Sequence, residues 1–480
     1  MAVTLGLDLG TSSARGVVLD PDLRVRATAE RQYPLLSDRP GWSEQDPAHW
    51  WAAVCALLQE LTGQLAGEEV LGIAFSGQMH GLVPLASDGG VLRNAILWND
   101  QRTGREARII SDAVGDRELI RRTGNPAITG FQLPKILWLR EHEPERFRRL
   151  SLALLPKDWL TLKLTGEAAT EPSDASGCGC LNLEGGDWDD AVLAAVGLDR
   201  SILPPVRPTG SVVGRVTKAA AAETGLQAGV PVLAGAGDNA AANLALGLGT
   251  HRPGLGSLSL GTSGVIFAPL DAPEPDPEGR VHLFGHADGR YCLLGVTLAA
   301  GGSLAWFRRV MMNSASFERI TELAEGTRPG AGGVTFHPYL SGERSPLLDP
   351  DLRGSFSGLS LATGPGELAR AVLEGVAFSL LDVADVMRRS TRLTGLLALG
   401  GGAASDFWLQ MFADVLKVEI MRPTGARDAA WGAALLAQHG VGAREGSGHE
   451  PGTGTVFRPG PADYRAARER YLLSRPASLP

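Results

Sequence analysis

The chain of 480 residues is poor in cysteine and aromatics and has no long apolar run, and each shortage excludes a class of protein. Its four cysteines, Cys55, Cys178, Cys180 and Cys292, form no CxxC pair and no Cys–His spacing suited to zinc. They read as free buried thiols of a reducing compartment. No stretch approaches the roughly 20 apolar residues of a membrane span. The opening MAVTLGLDLG lacks the basic segment and apolar core of a signal peptide, so a cytoplasmic protein is expected. No lysine follows a glycine, which removes a Walker A phosphate loop. No strict G-x-S-x-G or H-E-x-x-H occurs, so a nucleophile-elbow hydrolase and a zincin are unsupported. The net charge is −8 with no basic stripe, which argues against nucleic-acid and membrane-surface partners.

What is present suits a globular α/β protein. Apolar residues make up 44% and charged ones 20%, and the length exceeds one ordinary core, so two domains are expected. Many of the 62 glycines fall in turns beside apolar strands, where ligand loops sit. LGLDLGTSSARGVVLD (5–20) reads as two strands, 3–9 and 15–20, joined by a tight turn. SLSLGTSGVIFAP (257–269) repeats that hairpin. Further strands are expected at 70–77 and 229–237, and at 291–303 a strand followed by a loop. Helices are expected at 49–65, within 131–147 after Pro134, and at 366–390. Residues 396–416 read as strand, triple glycine and helix, with apolar pairs recurring every four residues from Phe407. Residues 271–277 read as a surface loop, and 440–463 as a linker before a terminal helix. The two hairpins divide the chain near Asn243–Gly249 into lobes 1–244 and 245–480, with a cleft between them.

The two Gly-Thr-Ser turns suit a phosphate, because glycine lets backbone N–H groups converge and the hydroxyls add donors. An ordinary hairpin turn is the better reading of one such turn alone; two in matching positions favour a polyphosphate gripped from both sides. GAGDNA (235–240) fits a Rossmann fingerprint, but the next acid after Asp238 is Asp271, too distant for a ribose contact. Asp8 and Asp238 each lie in or after an apolar strand among small residues. Burying an acid there is costly unless it binds a metal or takes a proton. Phosphoryl transfer to an alcohol needs both tasks. On this reading Asp238 is the base and Asp8 faces Mg²⁺ through water, although a capping or turn aspartate fits the same spacing.

Several motifs together resemble the FGGY family of carbohydrate kinases from Val3 to about Gly440. DLGTSSARG (8–16) resembles the family's first phosphate loop, SLGTSG (259–264) the second, and LGGGAASDFW (399–408) the adenosine loop. FQLPKILWLREHEP (131–144) and GSFSGLSLATGPGELARAVLEG (354–375) resemble its two signatures. SGQMHG (76–81), ILWNDQR (96–102), LPKDWLTLKLTGE (155–167), AGAGDNAA (234–241) and YLSGERSP (339–346) are similar to members that phosphorylate xylulose. The resemblance implies two ribonuclease H-like lobes of the actin/hexokinase/Hsp70 type, with ATP and sugar between them. It implies ATP-dependent phosphorylation of D-xylulose at its 5-hydroxyl, in xylose catabolism, with Asp238 as base. Met79, His80, Trp98 and Asn239 would meet the sugar. Thr11, Ser12 and Arg15 would meet the phosphates from one side, Gly261 and Thr262 from the other, and Gly401, Gly402 and Ser405 the adenosine. A homodimer is compatible with the family. His80 and Trp98 as plain core, Met79 as packing and Arg15 as a solvated strand end are the bland alternatives. His282 and His286, with three residues between them among Gly285 and strand residues, read as structural.

The motifs depart from the family pattern at three places. These are Cys178-Gly179-Cys180, Asn243-Leu244 after the catalytic loop, and Phe356-Ser357-Gly358-Leu359 in place of the naming run. The second lies near the sugar pocket. Related kinases of ribulose, gluconate or glycerol, and a catalytically silent ATP-dependent sugar sensor, are the competing readings.

Overall fold

The structure is a computed structural model that describes residues 2–65, 67–249, 251–425, 427–443 and 452–476. Alternating small and branched residues at the start of the chain extend into β1 (Ala2–Leu9), β2 (Ser13–Leu19) and β3 (Val25–Gln32). β4 (Glu69–Gly77), β5 (Val212–Arg215) and β6 (Pro231–Gly237) complete a six-stranded sheet in the order β5-β6-β4-β1-β2-β3. β1, β4 and β6 run parallel, and Leu9, Gly77 and Gly237 stand in register at their C-terminal ends. That edge is where open α/β sheets bind ligands.

The second sheet has seven strands. In chain order they are β7 (Leu255–Leu260), β8 (Gly264–Leu270), β9 (His282–Gly285), β10 (Tyr291–Thr297), β11 (Gly395–Leu399), β12 (Glu419–Pro423) and β13 (Gly454–Phe457). They are ordered β9-β10-β8-β7-β11-β12-β13. β7 and β11 are parallel and end together at Ser259 and Leu399. The expected hairpins at both sheet starts are present.

The helices that place the sites are α1 (Pro47–Gln64), α2 (Gln132–His142), α3 (Asp238–Ala245), α4 (Gly301–Met311), α5 (Phe317–Glu325), α6 (Pro365–Met387), α7 (Asp406–Leu416), α8 (Ala429–Gly440) and α9 (Arg465–Leu473). Among the described residues, none is long and apolar enough to cross a membrane. The chain leaves the first sheet through α3 and enters the second at Leu255.

α8 belongs to the second half of the sequence yet packs on the first sheet. Thr4 Oγ1 donates to Ala434 O at 3.1 Å, and Gln438 Nε2 donates to Asp20 O at 2.7 Å. A Cβ at Gly6 would lie 1.9 Å from Ala430 O, so strand and helix touch backbone to backbone. A Cβ at Gly432 would lie 2.0 Å from Ala241 O, where α8 crosses α3. The alanines and glycine of AAWGAALLAQHG permit this approach, and the two crossing helices join the halves.

Three expectations are corrected. The helix expected after Pro134 and on to 147 starts earlier, at Gln132, because a proline is tolerated in the first turn; it then breaks before Pro144 and resumes as a short turn over Pro144–Arg148. The loop expected to end near residue 303 gives way to α4 at Gly301. Residues 454–457, read as linker, form the edge strand β13, paired with β12 from Ile420 to Pro423. Residues 444–451 of that expected linker lie outside the described residues.

Candidate active site

Asp8 lies one residue before the end of β1, paired across the sheet with Arg15 on one side and Ser76 on the other. Ser76 Oγ donates to Asp8 Oδ1 at 2.6 Å, while Oδ2 takes no hydrogen bond among the described residues. Loss of hydration raises the Asp8 carboxyl to about 6 against the pull of that hydrogen bond. Beyond it, Gly10–Ser13 closes the turn through Gly10 N to Ser13 O at 3.0 Å. The loop's carbonyls are held from behind. Tyr33 Oη donates to Gly10 O at 2.5 Å, Gln45 Nε2 to Thr11 O at 2.7 Å, and Tyr33 N to Ser12 O at 3.2 Å. The Thr11 and Ser12 N–H groups donate to no hydrogen bond among the described residues, leaving two donors for a ligand.

Trp98, 42% exposed, donates its Nε1 hydrogen to Thr11 Oγ1 at 3.0 Å, so the expected sugar-facing ring is tied to the phosphate turn. Arg15 is already engaged: its Nε meets Asp428 Oδ2 at 2.9 Å. Asp428 in turn caps α8 by accepting from Trp431 N. The expected phosphate contact of Arg15 therefore competes with an ion pair that fixes α8 to β2.

The second parallel end carries the expected sugar loop. Met79 is buried against Gly237, where a Cβ would lie 2.9 Å from its Cγ, so it packs the strand end that leads into Asp238. His80 sits in left-handed backbone, φ 69°, uncommon for a residue with a side chain. Its Nδ1 donates to Gly177 O at 2.8 Å, which leaves Nε2 as a bare acceptor. Burial, and the charges of Lys135 and Arg344, hold the ring neutral with a pKa of about 3. The ring lies 4.9 Å from Phe131 and 5.8 Å from Phe284 of β9, so both halves of the chain wall this loop.

Asp238 opens α3 at the third parallel end. Asn239 N and Nδ2 donate to its Oδ1 at 2.7 and 3.0 Å, and Oδ2 makes no hydrogen bond among the described residues. Loss of hydration, then the charge of Asp8, raises the Asp238 carboxyl to about 7. A carboxylate with one free oxygen and a pKa near neutrality is equipped to accept a proton. Asn239, expected at the sugar, spends its amide on Asp238.

On the other sheet, Gly261 N bonds Ser263 O at 3.0 Å, and the turn is clasped by the start of α4: Gly301 N reaches Gly261 O at 2.8 Å, and Ala300 N and Gly302 N reach Thr262 O at 2.9 and 3.0 Å. A cavity of about 830 Å³ opens there. Gly261, Thr262, Gly401, Gly402 and Ser405 all line it, with Phe317 and Phe407 among its apolar walls. Three of these expected contacts are glycines, which offer only backbone to the cavity. Ser405 spends its Oγ capping α7, accepting from Trp408 N at 3.2 Å. Thr11, Ser12, Arg15, Asp8 and Asp238 do not line this cavity.

Two devices around the site were not anticipated. Lys135 of α2 is buried and donates to His80 O at 2.8 Å and Gly130 O at 2.6 Å. It thereby holds the left-handed residue in place, and burial lowers its ammonium to about 7. Lys157 is buried among Asp158, Glu171 and Asp174 at 2.6, 3.3 and 3.4 Å. This cluster anchors residues 171–177. From that segment Ser173 Oγ accepts from Gly237 N, Ser176 Oγ accepts from Gly285 N, and Gly177 O receives His80. The signal was a charged residue inside an apolar helical stretch, QLPKILWL and LPKDWLTL. His282 and His286 are structural, as expected: His282 Nδ1 meets Asn125 Oδ1 and His286 Nε2 meets Leu248 O. All four cysteines are free thiols.

Comparison with known proteins assigns both halves. Residues 3–245 match the N-terminal domain, and residues 256–441 the C-terminal domain, of the FGGY family of carbohydrate kinases. The chain is 39% identical to a xylulose kinase of Bacillus subtilis over 446 residues, spanning 92% of this chain and 89% of that one. It is 40% identical to a xylulose kinase of Escherichia coli over 437 residues, spanning 90% and 89%. A solved structure described as a "xyloylose kinase" of Brucella ovis superposes with a TM-score of 0.91 at 37% identity, covering 98% and 97% of the two chains.

Proposed function

Because the chain belongs to the FGGY family of carbohydrate kinases, we propose that it transfers the γ-phosphoryl group of MgATP to the 5-hydroxyl of D-xylulose, in the cytoplasm. Relatives named xylulose kinase that match along nine-tenths of the chain support that substrate. The observation that carries the reaction is Asp238, a strand-end carboxylate with one unbonded oxygen and a pKa of about 7. Asp238 Oδ2 takes the proton of the attacking hydroxyl as the oxygen meets phosphorus in line. His80 Nε2 accepts from a second sugar hydroxyl, and its ring, fixed by Gly177 O and walled by Phe131, orients the chain of carbons.

The cavity beside Gly261 and Gly401 takes the nucleotide, its glycines letting the ligand approach the backbone and its apolar walls covering the base. The Thr11 and Ser12 N–H groups meet the transferring phosphoryl from the other lobe.

The residues present fit a Mg²⁺ ion held mainly by phosphate and water. Asp8 offers one unbonded carboxylate oxygen beside the first loop, and no group of three or more ligating side chains forms a cage among the described residues. When bound, the ion neutralises phosphate charge.

An ADP-release assay across D-xylulose, ribulose, gluconate and glycerol tests this reading. The highest kcat/KM is expected with D-xylulose. A higher value with another sugar overturns the substrate, and no release with any sugar overturns the kinase.

A further inference from the structure

Arg344 lies in the second half of the chain, in the turn SGERSP between residues 341 and 346. Its backbone is fixed on both sides. Ser345 N donates to Val296 O of β10 at 2.9 Å, Leu348 N donates to Arg344 O at 2.7 Å, and Arg344 N donates to Glu343 Oε1 at 2.8 Å. That glutamate oxygen also accepts from Leu298 N at 3.0 Å, which locks the turn to the end of β10. The side chain has no such support. Its guanidinium forms no hydrogen bond and no ion pair among the described residues, and protein covers it enough to lower its pKa to about 10. The residue is nevertheless only half-buried, so part of it still reaches solvent.

A guanidinium stripped of much of its water and given no carboxylate is expensive to keep. Fold stability does not account for it, because an apolar residue of similar length would fill the position without that cost. Its missing partner therefore comes from outside the chain. The neighbours identify the side from which it comes. The turn is bonded to β10 at Val296, β10 pairs Leu294 with His282 of β9, and Phe284 of β9 lies 5.8 Å from the His80 ring, so Arg344 belongs to the wall that faces the sugar loop, and its charge reaches both histidines. It does not line the cavity that holds Gly261, Thr262 and Gly401.

We infer that Arg344 is the second lobe's sugar-binding residue, its fixed turn presenting an unpaired guanidinium across from His80 to donate hydrogen bonds to hydroxyl or carbonyl oxygens of the polyol chain. This rests on the sugar-kinase reading above. The arrangement makes the sugar pocket two-sided: an acceptor, His80 Nε2, on one lobe and a donor, Arg344, on the other. A ketose offers both complements, hydroxyl hydrogens for the first and oxygens for the second. Neither lobe alone then satisfies the sugar.

The test uses the full-length enzyme with Arg344→Met and Arg344→Lys. For Arg344→Met the KM for D-xylulose is expected to rise about 10–100-fold, the scale of a lost charge-assisted hydrogen bond. The KM for MgATP is expected to change less than about twofold, and the Tm to stay level or rise, because an unpaired charge has been removed. Arg344→Lys, which keeps a charge on a shorter donor, is expected to recover part of the loss. An unchanged sugar KM overturns the inference. So does an equal rise in the ATP KM, which places the guanidinium on phosphate, or a fall in Tm that accounts for both changes. Wild-type enzyme that turns over no sugar overturns the kinase reading itself, and this inference with it; wild-type turnover with an unaffected Arg344→Met variant overturns this inference alone.

Discussion

The turns at Gly10–Ser13 and Gly261–Ser263 share the letters Leu-Gly-Thr-Ser, yet the protein builds them differently. In the first, β1 and β2 resume pairing at Leu9 and Ala14; in the second, β7 and β8 resume at Leu260 and Gly264, one residue tighter. The first is braced by side chains, Tyr33 and Gln45, reaching its carbonyls. The second is braced by the backbone of a helix start, Ala300 to Gly302. Charge surrounds the first: Asp8, Arg15, Asp428 and, two strands along the same edge, Asp238. An apolar cavity adjoins the second. One lobe thus supplies groups that change protonation, and the other supplies a shaped surface. A repeated sequence motif specifies a turn; what the turn does depends on the elements behind it.

This contrast can be broken at either end. The largest effect is expected from Asp238→Asn, which removes the proton acceptor from the charged lobe. Its kcat should fall about 10²–10⁴-fold, with MgATP binding by calorimetry unchanged. Gly301→Ala strikes the shaped lobe, since the new Cβ would lie 2.5 Å from Gly261 O and must push the second turn aside. The KM for MgATP should rise about tenfold, the equivalent of about 1.4 kcal/mol, with the sugar KM and the pH profile unmoved. Tyr33→Phe removes one brace from the first turn, a hydrogen bond worth about 1 kcal/mol. It should lower kcat about fivefold and leave the ATP KM nearly level.

The same contrast has a stability signature. Asp238 has a folded-state pKa of about 7, above its ordinary value of 3.8. The folded protein therefore holds this proton more tightly than the unfolded chain. The associated stability is fully present below about pH 4 and is lost as the pH rises through 7. Asp238→Asn should melt a few degrees above wild type at pH 8, with the gap closing toward pH 4, while Gly301→Ala should show no such pH-dependent gap.

Much of this was legible from sequence because it is local. Apolar strands ending in Gly-Thr-Ser, Gly-Gln-Met-His and Gly-Asp-Asn already place Asp8, His80 and Asp238 at strand ends, and the parallel register of β1, β4 and β6 then gathers those ends at one edge. What was not legible joins distant residues. Nothing in AAWGAALLAQHG states that α8 lies against Gly6 of β1, more than four hundred positions earlier. Arg15 reads as a phosphate ligand until Asp428 is seen beside it. The glycines at 301 and 302 suggest a loop, but they start a helix because the second turn needs their N–H groups. The four residues of β13 are too few to announce a strand without β12 to pair with.

The central claim is that Asp238 accepts the sugar's proton, and the pH dependence of kcat/KM for D-xylulose tests it most directly. The account predicts a rise through an apparent pKa near 7 in the wild type, because Asp238 must be ionised to act, and no such rise in the residual activity of Asp238→Asn. A wild-type profile flat between pH 5 and 8, or the same rise persisting in the asparagine variant, would contradict it.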